Sequence, residues 1–260
     1  MASALLASLF GTAEAYTILD NYWGGTPTSS SYANRDVIGD PNRFDINAIN
    51  VTFSENSMNI AITGNYFTSF LAGGVYNMKP GDLFISTTGW DMEGMTAPYA
   101  SDTINTGQQW NYVFDLGINT SLGTSGTGYL YSLDRGSIDQ SNVSGFQSPG
   151  AYVFRGSQEW AFTPYQQTAN NFLATGSWVI SDNQLLFSIN TSSLPFSGES
   201  IGFHWTMQCG NDVIEGAAAP VPEPSTMLLL GSGLVGLWGV RKRRREHKNP
   251  QGARARGEIA

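Results

Sequence analysis

Only one cysteine, Cys209, and two histidines occur in 260 residues. A lone cysteine excludes an intrachain disulfide and is read as a small buried hydrophobe. His204 is the sole histidine before position 247, so a multi-histidine zinc site is excluded and any Ser-His-Asp or Cys-His centre would have to use it. Its alternation with Trp205 along a strand makes a hydrogen-bonded sheet histidine the simpler expectation. Charge is scarce at 13%, and positive charge is scarcest: only Arg35, Arg43, Lys79, Arg135 and Arg155 precede position 241, against 17 carboxylates from Asp20 to Glu215. So acidic a stretch argues against nucleic acid or anionic lipid as a partner. Nothing before position 217 sustains a 3.6-residue apolar period, and no Gly-rich loop stands between a strand and a helix to cradle phosphate.

What the chain does contain is short apolar segments punctuated by Gly, Asn, Asp and Ser, with 30 glycines and 12% aromatics. Residues 44–53 alternate apolar and polar side chains, 55–57 read as a turn, and Met58, Ile60 and Ile62 alternate again, which predicts a hairpin over 44–63. Further strands are expected at 82–87, 110–116, 128–133, 152–155, 176–180, 184–189 and 201–207. The fold expectation is all-β, an antiparallel β-sandwich of jelly-roll type, occupying residues 16–216. Residues 20–25 read as an aromatic turn, 123–128 as a flexible polar loop, and 217–221 as a linker.

The two ends read differently. Residues 2–10 are apolar and Ala13-Glu14-Ala15 has the small-residue spacing of a signal-peptide site, so residues 1–15 are expected to be removed by cleavage after Ala15. At the other end Pro222-Glu223-Pro224 is followed by an uncharged run, 225–240, and then by Arg241-Lys242-Arg243-Arg244-Arg245. Sixteen residues at about 1.5 Å each reach ~24 Å, short of a ~30 Å hydrocarbon core, which makes the run a marginal span by length. The run has no polar face, and a basic cluster beside an inserted segment is retained in the cytoplasm, which places everything before Pro222 outside it. Residues 246–260 form a basic tail expected to be disordered.

Those three parts in that order resemble the PEP-CTERM sorting signal of Gram-negative bacteria, which exosortases recognise and process. The resemblance covers residues 221–245 and implies a transmembrane helix, an exosortase partner, and a surface or extracellular protein associated with exopolysaccharide and biofilm. The His204-Trp205 and Cys209-Gly210-Asn211-Asp212 words resemble a stretch of exosortase-dependent surface proteins and imply membership rather than an activity. The signal departs from the family in continuing past the arginines to Ala260.

No catalytic set emerges from the residues, and the expected function is non-enzymatic. Two alternatives stand beside it. A carbohydrate-binding module would use Trp23, Trp90 and Trp160, aromatic faces in Gly-rich or polar loops. A polysaccharide-acting hydrolase would use Asp91 and Glu93, which an extended backbone sets about 7 Å apart on one face. No cofactor is expected, with calcium as the one possible ion and Asp82 and Asp91 as its candidate ligands.

Overall fold

The computed structural model describes residues 14–27, 30–32, 35–54, 56–75, 78–90, 99–117, 123–133, 138–140, 154–162, 171–194, 200–218 and 232. The chain forms two compact units, one of residues 13–221 and one made of residues 1–12 with 222–260. In the second only Ser232 is described, so the expected transmembrane run, Pro222, Glu223, Pro224 and the cations 241–245 lie outside the described residues, as does Ala13. Among the described residues no helix is long and apolar enough to cross a membrane.

Among the described residues the body is antiparallel β with two short α-helices and one 3-10 turn, Ser30–Tyr32. Strand β1 (Glu14–Leu19) and the two-residue β2 (Thr26–Pro27) precede helix α1 (Pro41–Phe44), which Asp40 caps by accepting the Asn42 N–H at 3.0 Å while Pro41 occupies the first turn. The hairpin expected over 44–63 is present as β3 (Ile46–Ser54) and β4 (Ser57–Gly64), paired from Ile46↔Gly64 to Ser54↔Ser57. Helix α2 (Asn65–Leu71) follows directly. Then come β5 (Leu83–Ser86), β6 (Tyr112–Asp115), β7 (Ser125–Ser132), β8 (Ile138–Gln140), β9 (Arg155–Gly156) and β10 (Glu159–Phe162). The last four are β11 (Phe172–Ser181), β12 (Gln184–Asn190), β13 (Ile201–Thr206) and β14 (Val213–Ala218).

Ten strands share one sheet in the order β1-β3-β4-β12-β11-β7-β6-β5-β13-β14, while β8–β10 and β2–β9 form two small ribbons. The large sheet is nearly closed: a methyl group on Gly216 of β14, one edge strand, would fall 2.6 Å from Ile18 Cγ2 of β1, the other edge. Curling protects edges that would otherwise offer unpaired N–H and C=O groups. Inside lies the main core, with Ile49, Val51, Ile60, Ile62, Leu83, Phe114, Phe187, Phe203 and Trp205 among its buried side chains. Cys209 is in this core as a free thiol, pushed by burial up to about 12.

Three local expectations are corrected. Residues 125–128, read as loop, begin β7, because Gly128 lies opposite Gly176 of β11 and both lack the Cβ that would strike the Phe114 ring. Residues 217 and 218, read as linker, complete β14, where Ala217 and Ala218 pair with Gly202 and Ile201 and Ala218 is buried. Helices α1 and α2 were absent from the expectation because neither is long enough to display a period. In α2 the i, i+1 and i+4 positions Tyr66, Phe67 and Phe70 nevertheless share the inward side, with the Tyr66 and Phe67 rings 5.8 and 5.3 Å from that of Trp205.

Candidate functional site

Strand β13 is buried along its whole length. Its odd positions, Ile201, Phe203 and Trp205, enter the main core, while His204 meets a second cluster that includes Phe84, Trp110, Val113, Tyr131 and Phe162. A polar group so placed must find partners within the protein. His204 Nε2 lies 2.7 Å from the Glu159 carbonyl oxygen and 4.0 Å from Glu159 Oε2, and Nδ1 lies 3.5 Å from Glu215 Oε2, directly across on β14. Both ring nitrogens thus face acceptors, the arrangement that suits an imidazolium. Burial opposes that charge, but Glu215 and Glu159 prevail and hold His204 above the usual histidine range.

The surrounding acids are raised as well. Burial, reinforced by the Glu215 charge, pushes Glu159 up to about 7 against the pull of His204. Asp102 rises to about 6 through burial and Glu215, opposed by the hydrogen bond it accepts from the Tyr22 hydroxyl. Trp90 Nε1 donates to Glu215 Oε1 at 2.9 Å, and Tyr99 packs against both Tyr22 and Trp90. The arrangement can hold protons, yet His204 is fully buried and its two glutamates are nearly so.

A second acidic group lies alongside. Asp20 follows β1, Asp36 sits in the loop before α1, and Asp212 opens β14; one carboxylate oxygen from each lies within 4.8 Å of the others. Asp212 Oδ2 accepts the Ile46 N–H at 2.6 Å and its Oδ1 accepts the Val213 N–H at 2.9 Å. Burial raises Asp20 and Asp212 well above the carboxylate range, with the charge of Asp212 adding to it at Asp20 and that of Asp36 at Asp212, and raises Asp36 to about 6 although Arg155 pulls it down. Arg155, itself 1% exposed, donates from Nη2 to the carbonyls of Arg35 at 2.7 Å and Asp36 at 2.6 Å. Gly25, at φ +96°, lets the backbone pass so close that a Cβ there would fall 2.7 Å from Arg155 Cγ.

Both groups are strung on the same three segments. Residues 20–22 supply Asp20 to one and Tyr22 to the other, 155–159 supply Arg155 and Glu159, and 212–215 supply Asp212 and Glu215. Of these, the sequence reading singled out His204, Trp90 as an aromatic face, and Asp212 only as part of the Cys209–Asp212 word. A textual signal existed in residues 20–25 and 209–212, where acids adjoin Gly, but nothing local joins Asp20 to Asp212.

The sequence-predicted residues are distributed elsewhere. Asp82 is buried and engaged, Oδ1 accepting the Leu116 N–H at 2.9 Å and Oδ2 the Phe162 N–H at 2.8 Å, so it serves as a clasp between loop and ribbon. Trp160 is 7% exposed and offers no open ring face; Trp23 and Trp90 are half-buried. Ala15 lies in β1 opposite Thr52. Asp91 and Glu93 lie outside the described residues. A shallow groove of about 480 Å³ runs over the outer side of β3, β4, β12 and β11, bordered by Asn50, Thr52, Asn59, Ser177 and Ser188.

The family model of the PEP-CTERM protein-sorting motif matches residues 220–245, so the chain carries that sorting motif at its C-terminal end. No curated protein and no solved structure matches the chain.

Proposed function

We propose that this chain is an exported surface or extracellular-matrix protein whose tail exosortase cleaves near Pro222-Glu223-Pro224, and whose body acts without catalysis in association with exopolysaccharide. The observation that carries this reading is the sorting motif at 220–245, with its basic cluster at 241–245. In this reading the signal peptide ends at Ala15, the body is a flattened, sandwich-like form of the curled sheet, and residues 225–240 hold it in the inner membrane until processing. The acidic body suits a hydrated polysaccharide matrix. Burial of His204, Glu159 and Glu215 favours a structural role for that polar layer over a hydrolytic one.

The test is the intact mass of the protein from its native host, with and without exosortase. A species starting at Tyr16 and ending close to Pro222, seen only when exosortase is present, is the expected result. A full-length species in the inner membrane of both strains would mean that the tail is an ordinary anchor.

A second reading, glycan binding by the body, is favoured by the groove over β3, β4, β12 and β11, where hydroxyl and amide side chains lie beside the apolar Ala61, Val179 and Leu186, a mixture that suits sugar hydroxyls and ring faces. Calorimetric titration with the host's own exopolysaccharide, comparing wild type with Asn59→Ala, checks it; equal or absent heats in both would dismiss the groove.

A further inference from the structure

We propose that Asp20, Asp36 and Asp212 form a binding site for a hard divalent cation, of which calcium is the better fit. The three carboxylates come from separate segments, and one oxygen from each lies within 4.8 Å of the others. A point equidistant from three oxygens so spaced lies no more than about 2.8 Å from each, a few tenths of an ångström beyond the ~2.4 Å calcium–oxygen distance, so a small inward shift brings all three onto one calcium ion, whereas magnesium at ~2.1 Å needs a tighter and more regular cage. Asp212 is held by the Ile46 and Val213 amides, but an oxygen of each of the other two aspartates has no such partner. Asp20 Oδ2 and Asp36 Oδ1 are shielded from solvent and have no hydrogen-bond partner, and the same holds for Oδ1 of Asn211, the residue beside Asp212. Buried acceptors are ordinarily paired, and an ion is one of the few explanations for several orphans in one place.

Charge points the same way. Arg155 is the cation that acts on all three carboxylates, and Asp45 adds further negative charge to Asp20 and Asp36. With all three carboxylates ionised, one guanidinium leaves two negative charges, which a divalent ion cancels. The guanidinium donates from Nη2 to the Arg35 and Asp36 carbonyls and so fixes the loop that carries Asp36. Asp212 is locked by the Ile46 and Val213 amides, so the site is anchored at the point where β14 meets β3. The ion would therefore tie the loops after β1 and before α1 to the sheet. This inference stands whether or not the export reading does.

The experiment uses the full chain in detergent, stripped with EDTA. Calcium titration followed by thermal unfolding and calorimetry should show one site per chain with a dissociation constant of about 10⁻⁴ M or tighter, and a rise in Tm that magnesium reproduces only weakly. Asp36→Asn, chosen because Asp36 lies on a loop and is less buried than Asp212, should weaken calcium binding by about tenfold or more, on the scale of losing one charged ligand. Asp182→Asn, in an exposed turn far along the chain, should bind as wild type. Should Asp36→Asn fail to fold, terbium(III) luminescence sensitised by Tyr22 and Trp23 in the wild type, displaced by calcium, reads the same site. Absence of calcium binding and of sensitised terbium emission in the folded wild type would overturn the proposal, as would a folded Asp36→Asn that binds calcium unchanged.

Discussion

At the scale of single residues, the chemistry of this body is a matter of acids removed from water. Glu159 illustrates the consequence for pH. Its ordinary value near 4.5 is raised to about 7 in the fold, by burial first and by Glu215 next. An unfolded chain releases this proton from about pH 4.5 upward while the fold retains it, so stability present in acid is lost as pH rises through about 7. His204 has the same sign: its charged form, favoured in the fold, contributes below its unfolded value and is lost as pH rises through the higher folded one. Glu215, Asp102, Tyr22, Trp90, Trp110 and Phe84 face this pair, and Asp102, raised to about 6, adds to the trend. The chelator-treated body should therefore be more stable at pH 5 than at pH 8, by an amount on the order of 1–3 kcal/mol. Glu159→Gln should flatten that slope in urea unfolding at the two pH values; an unchanged slope would exclude Glu159 as its source. Asp82 makes a different prediction. Replacing it with Ala strands the buried amides of Leu116 and Phe162, each at about 1–3 kcal/mol, so Asp82→Ala should lower the urea midpoint strongly at either pH.

Among the elements, the paired glycines of β7 and β11 show why a polar, glycine-rich stretch becomes strand. Gly128 and Gly176 face each other and leave room for the Phe114 ring, which in turn packs edge-on to Phe187 at 5.8 Å. A glycine normally weakens a strand, but here it marks the close approach of another group. Gly128→Ala should cost about 1–3 kcal/mol by overpacking, and Gly128→Ala combined with Phe114→Leu should recover part of that loss in the same unfolding assay. An additive pair would mean that Phe114 is not what the added methyl meets. Helix α2 acts as a plug through Tyr66 and Phe67 on Trp205, whose indole N–H donates to the Gly81 carbonyl at 2.9 Å. Hairpin β3–β4 was legible from its alternation because its inner and outer sides differ in polarity. Strand β13 was legible only as an apolar run, since both of its sides are buried and His204 hides among aromatics.

For the whole molecule, the sorting tail and the body follow separate logic. The tail is an address read along the chain, so removing the basic cluster by Arg241→Gln, Lys242→Gln, Arg243→Gln, Arg244→Gln and Arg245→Gln together should leave full-length protein unprocessed or misinserted, as intact mass and protease protection would report. Correct processing of that variant would remove the cluster from the recognition element. The body's unfolding, measured on the processed chain, should not depend on those residues.

The sequence by itself determined the antiparallel β class, the positions of most strands, the acidity of the body and the address at 220–245. Each is a local property, carried by a two-residue period, a composition or a contiguous word. Only the tertiary structure decided that the large sheet nearly closes, that Asp82 is a backbone clasp, and that the acids divide between the His204 layer and the Asp20–Asp36–Asp212 group. Those outcomes depend on Asp20 meeting Asp212 and on Glu159 meeting His204 after water has left, and an acid's character changes with burial and neighbours that no stretch of chain contains.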